Sequence, residues 1–148
     1  MQSRPSRWRS DPYEVAAGRR LAERLGVSPV VGAILADLGA QVVKIEPPGG
    51  DGTRQLLGSG TGYFPMYNRG KQSVCLDLKH ERGLALARTL ALQADVVVEN
   101  FRKGTMERLG LDYETLAAGN PGLIYCSAKG FLPGPYEHRT GLDEVVQM

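Results

Sequence analysis

Four side chains with metal-ligating or thiol chemistry stand out first: Cys75, His80, Cys126 and His138. They are scattered, whereas metal ligands come in closely spaced pairs. Both cysteines are expected at buried strand positions and both histidines at the surface. Two cysteines are also too few for a disulfide framework, which points to a reducing, cytoplasmic setting. No G-x-S-x-G turn is present to raise a serine nucleophile. The glycine-rich stretches do not match the nucleotide loops. Gly70-Lys71 is followed by Gln72, so the Lys-Ser/Thr pair of a phosphate-binding loop is missing. Gly58-Ser-Gly60-Thr-Gly62 lacks the G-x-G-x-x-G spacing and does not join a strand to a helix.

The elements that would carry any site follow from patterning. The chain has 148 residues, one domain's worth. Its 42% hydrophobic and 23% charged residues are ordinary for a soluble globular protein. Eighteen Lys+Arg against sixteen Asp+Glu leave +2, too little to indicate a nucleic-acid partner. No apolar run reaches membrane-spanning length, so no membrane partner is expected. Residues 1–26 read as a basic extension, with Arg4, Arg7 and Arg9, followed by an altered first unit. Tyr13 to Leu25 is expected as a helix.

Ser28-Pro29 predicts a helix start and Gly39 its exit, with Val30, Val31, Ile34, Leu35 and Leu38 as the apolar stripe. Gln41 to Glu46 predicts a strand stopped by Pro47-Pro48. Pro47 to Lys71 is a long Gly-rich connection of the kind that forms binding loops or lids. Beyond it, strands are predicted over Ser73–Asp77, Asp95–Glu99 and Leu123–Ser127. Helices are predicted over Lys79–Gln93, Thr105–Leu109 and Asp112–Ala118. The longest of these would bury Leu84, Leu86, Ala87, Leu90 and Ala91. Such alternation predicts an α/β fold with a mostly parallel sheet.

Several phrases carry a resemblance. They are Leu35-Ala-Asp-Leu-Gly-Ala-Gln-Val-Val-Lys-Ile-Glu46, Asn68-Arg-Gly-Lys71, Leu76-Asp-Leu-Lys79, Ala94-Asp-Val-Val-Val-Glu-Asn-Phe101, Met106-Glu-Arg-Leu-Gly110, Asn120-Pro121 and Tyr125-Cys-Ser-Ala-Lys-Gly-Phe131. In this order the stretch from Val27 to Met148 resembles the N-terminal part of family III CoA-transferases. That family includes formyl-CoA transferase, carnitine CoA-transferase and the α-methylacyl-CoA racemases. The resemblance implies a Rossmann-like large domain, here without its C-terminal part and small domain. It implies an interlocked homodimer for the full-length protein, and coenzyme A, as acyl-CoA, for the ligand. No metal is implied. Asn100 and Phe101 match a pair that lines the CoA site, and Arg108 an arginine on the CoA phosphates. Leu76 and Lys79 match positions bordering the nucleotide, and Lys129 a lysine beside the pantetheine path. Cationic donors suit the 3′-phosphate and pyrophosphate of CoA. Two departures concern the nucleotide: Pro47 stands where many relatives carry an arginine, and Leu21 to Leu25 reads as helix where they have a first strand.

The family reaction runs through an aspartate. Its carboxylate attacks the thioester carbonyl, expelling CoA thiolate and forming a mixed anhydride. The thiolate then displaces the donor acid, leaving an aspartyl-CoA thioester, and the acceptor acid repeats the cycle in reverse. That aspartate is expected beyond residue 148, past Gly141-Leu-Asp143, so Asp143 itself reads as structural. The chain is thus expected to be a fragment of a transferase, inactive by itself, with a non-catalytic CoA-binding product as the alternative. A racemase is disfavoured because Leu142 stands where racemases carry a proton-transferring histidine. Phe131 to Arg139 resembles branches acting on small dicarboxylic acids.

Overall fold

The computed structural model describes residues 20–23, 28–131, 133–137 and 139. Five parallel strands form one sheet in the order β3-β2-β1-β4-β5. They are β1 (Arg20–Glu23), β2 (Gln41–Glu46), β3 (Lys71–Cys75), β4 (Val96–Glu99) and β5 (Ile124–Ser127). The helices are α1 (Ser28–Asp37), α2 (Tyr63–Asn68), α3 (Glu81–Gln93), α4 (Thr105–Leu109) and α5 (Tyr113–Gly119). None of these is long and apolar enough to cross a membrane. The sheet order is that of a Rossmann-type fold. Its order reverses between β1 and β4, the crevice where open α/β sheets take their ligands.

The sequence patterns place β2 to β5 and all helices but α2 within a few residues of where they lie. Asp112 caps α5, its Oδ1 accepting the Thr115 N–H at 3.0 Å. Gly39 leaves α1 with φ +91°, a conformation that favours glycine. Glycine is also required at Gly83, where an added Cβ would lie 2.2 Å from the Asp77 carbonyl oxygen.

The expected helix over Tyr13–Leu25 is corrected where it can be seen. Arg20–Glu23 is a strand, laddered to β2 on one side and β4 on the other. Pairing on both edges overrides a helix preference that local sequence cannot weigh against it. The rest of that predicted helix lies outside the described residues. The Gly-rich connection is also more ordered than a loop. It holds two 3-10 turns, Gly52–Gln55 and Gly58–Gly62, and then α2.

Two layers flank the sheet. On one face Ile45, Val97, Ala87, Ala91, Met106, Leu111 and Leu116 form the main core beneath α3, α4 and α5. On the other, Val42, Val98 and Ala40 meet Leu35 and Ala36 near α1. The helix turns its small residues inward: Ala33 is buried, whereas Val30, Val31 and Ile34 are exposed. The five-residue stripe predicted for α1 is corrected accordingly. Leu86 of α3, expected inside, is also exposed. Cys75 and Cys126 lie on strands as expected, but exposed rather than buried. In register they pair with Glu46 and Val98, on the outer strands β3 and β5, and α1 packs over the middle of the sheet instead.

Candidate functional site

A parallel sheet brings the exits of all its strands to one rim. The segments after β2, β3, β4 and β5 therefore share an edge, and the predicted site residues lie on three of them. Asn100 and Phe101 leave β4 directly, Leu76 and Lys79 follow β3, and Lys129 follows β5.

The β4 exit is built on a buried carboxylate. Glu99 is 3% exposed at the end of an otherwise valine strand. Its Oε2 accepts the Phe101 N–H at 2.7 Å. Lys129 Nζ donates to Oε1 at 2.8 Å and to Oε2 at 3.0 Å, and the Ser127 hydroxyl donates to Oε1. Lys129 also donates to the Phe101 carbonyl. The strand tails are tied by the Ala128 N–H to the Glu99 carbonyl at 2.8 Å. Asn100 and Phe101 are half-buried, and Phe101 packs on the main core that contains Leu76.

Leu76 faces the protein interior, and its N–H bonds the Glu46 carbonyl at 2.9 Å. Lys79 is exposed in a turn closed by its N–H to Asp77 Oδ1 at 2.9 Å. Arg108 is exposed on the last turn of α4, where its Nη2 donates to Thr105 Oγ1 at 3.0 Å. Left-handed glycines, Gly104 and Gly110, bracket that helix. The structure thus joins Lys129 to Phe101 directly. Lys79 and Arg108 stay on the surface. A cleft of about 220 Å³ lies beside the turn, lined by Glu99, Arg102, Lys103, Tyr125, Ser127 and Lys129 among others. Exposed cations, an amide and an apolar ring along one rim suit a ligand with phosphates at one end and an uncharged arm. Asp143 and His138 lie outside the described residues. His80 is exposed and caps α3, its Nδ1 accepting the Arg82 N–H.

The β2 exit holds a second polar cluster that sequence reasoning missed. Lys44 is 1% exposed and lies 2.6 Å from both Asp51 Oδ2 and Asn68 Oδ1. Glu46 takes Arg54 on both oxygens, each at 2.7 Å, with Ser73 Oγ at 2.7 Å and the Asp51 N–H at 2.8 Å. The Arg54 guanidinium also sits 3.8 Å from the Phe64 ring centre. The Arg54 bond, with help from Ser73 and Asp51, holds the Glu46 carboxyl down at about 2 despite burial. Burial pushes the Asp51 carboxyl up, but the Lys44 ammonium and the Thr53 bonds outweigh it. Charged residues within otherwise apolar inner strands, as in Val-Val-Lys-Ile-Glu and Val-Val-Val-Glu, were the available signal: burial there demands partners.

The family model for CoA-transferase family III matches residues 21–148 and so takes in β1, ahead of the Val27 start expected from the motifs. The chain is 45% identical over 145 residues to the succinate–glutarate CoA-transferase of Agrobacterium fabrum, covering 88% of this chain and 36% of that protein. It is 50% identical over 119 residues to the acetyl-CoA:oxalate CoA-transferase of Acetobacter aceti, covering 77% and 31%. Among solved structures it is similar to a CAIB/BAIF family protein from Brucella suis, with TM-score 0.81 and 44% identity over 89% of this chain and 38% of that one. It is also similar to Rv3272 from Mycobacterium tuberculosis, with TM-score 0.80 and 42% identity over 86% and 37%. The chain spans about a third of the length of the curated relatives it matches. On the match from Leu21 to the last residue and the shared fold, the chain belongs to CoA-transferase family III.

Proposed function

We propose that these residues belong to an enzyme that moves CoA between an acyl-CoA thioester and a carboxylic acid through an aspartyl intermediate, with small dicarboxylates as the acids. The observation that carries the reading is the coincidence of the family match with the strand-exit turn at Asn100–Phe101, beside the crevice of the sheet. Arg108 and Lys79 are proposed to meet the phosphates of CoA, and their exposure at the rim leaves both accessible to a ligand. Asn100 and Phe101 would line its path, with Leu76 supporting Phe101 from the core. Two relatives act on dicarboxylates by name, succinate with glutarate and oxalate, which supports the substrate class. A cytoplasmic location is proposed from the cysteine usage, and an interlocked homodimer from the resemblance.

The resemblance puts the nucleophilic aspartate past Gly141-Leu-Asp143. Binding of CoA without turnover is therefore the expected behaviour of these 148 residues. Calorimetric titration with coenzyme A tests the reading. Arg108→Ala should weaken binding by roughly tenfold, the scale of one charge-assisted contact. No heat of binding from the folded chain, or equal affinity in the variant, would count against it.

A further inference from the structure

We propose that Glu99 and Lys129 work as a positioning pair that holds the backbone of Phe101, so that Lys129 acts on the ligand site through Phe101. The proposal rests on the reading that the Asn100–Phe101 turn seats CoA. It gives Lys129 a task beyond its place beside the pantetheine path.

Donor counting carries the argument. A lysine ammonium has three N–H donors. Lys129 Nζ has three acceptors around it: Glu99 Oε1 at 2.8 Å, Glu99 Oε2 at 3.0 Å and the Phe101 carbonyl. The two oxygens of one carboxylate share a single N–H and the Phe101 carbonyl takes a second, so two of the three donors are committed to Glu99 and Phe101. The pair meets both backbone groups of Phe101, since Glu99 Oε2 takes its N–H at 2.7 Å while Lys129 takes its carbonyl. Each charge also justifies the other. Glu99 is almost wholly buried, and an unpaired buried carboxylate is costly. Lys129 is anchored from β5, so the pair spans the exits of two adjacent strands. Ser127, in register with Glu99, adds a third donor to the carboxylate and sets its orientation. A turn that would otherwise vary in φ and ψ after the strand is thereby held in one conformation before any ligand arrives, which reduces the ordering cost of binding.

The test uses amide hydrogen exchange read by NMR on the 148-residue chain without ligand. In Lys129→Met the Phe101 amide should exchange at least tenfold faster, while Val97 in the core strand keeps its protection. Lys129→Arg should restore most of the protection. Unchanged ligand-free exchange of Phe101 in Lys129→Met would overturn the proposal. Should Lys129→Met fail to fold, the wild-type chain still decides. Its Phe101 amide should exchange at least tenfold more slowly than that of an unstructured peptide, and the absence of protection would also overturn it. A wild-type chain that binds no CoA defeats the CoA reading alone. The exchange of Phe101 then still judges the pair.

Discussion

The exits of β2 and β4 begin alike and end differently. Each strand closes on a buried glutamate, Glu46 or Glu99, and each glutamate takes a cation, a serine hydroxyl and a backbone N–H. At β2 the cation is Arg54, from the segment that follows the same strand, and the Lys44–Asp51 pair lies beneath it. Those bonds fold residues 47–71 back on the sheet. At β4 the cation is Lys129, from the neighbouring strand's tail, and the bonds converge on the two backbone groups of one residue, Phe101. A buried strand-end carboxylate can therefore either pin a long connection or fix a short turn. The choice depends on where its cation lies in the chain.

Breaking the β2 cluster should produce the largest effect. Lys44→Met leaves Asp51 charged and buried without its partner, a change that typically costs about 3–5 kcal/mol. Urea unfolding should show it, and Lys44→Met combined with Asp51→Leu should recover part of the loss. A loss below about 1 kcal/mol would mean the pair is not buried as described.

Acid should unpick the same cluster next. The Glu46 carboxyl is held at about 2 in the folded chain against an ordinary 4.5. A depressed carboxyl stabilises the fold above its ordinary value, and that contribution is lost as pH falls from 4.5 toward 2. It amounts to about 2 kcal/mol once solvent screening at the part-exposed Arg54 is allowed for. Unfolding curves across that window should show the loss in wild type and a flatter profile in Glu46→Gln.

How far could the sequence have shown this? The strands β2 to β5 were legible because β-branched runs end in proline, glycine or charge. β1 was not: Arg20-Leu-Ala-Glu23 carries no strand signature, and only its two neighbours make it one. The order of residues 47–71 was hidden because it rests on side chains far apart in the chain, such as Lys44 on Asn68, 24 positions away. For the proposed site, motif resemblance pointed to Asn100, Phe101 and Lys129, but the bond from Lys129 to Phe101 is tertiary and has no local signal. The exposed cysteines were misread because alternation shows which face a strand residue takes, not whether that face is covered.

Smaller changes sharpen the contrast. Ser73→Ala removes one of several donors to Glu46 and should cost about 1 kcal/mol in the same unfolding assay. The Arg69–Asp37 pair, half exposed on both sides, is the control outside both clusters. Arg69→Ala should change stability by no more than about 0.5 kcal/mol, and high salt should erase even that.

The most direct measurement is titration of the isotopically labelled chain with coenzyme A, followed amide by amide. Shifts centred on Asn100, Phe101 and Arg108, with Asp51 to Arg54 unmoved, are the expected result. Shifts centred on the β2 exit, or none anywhere in a folded chain, would contradict the assignment of the β4 exit as the seat of CoA.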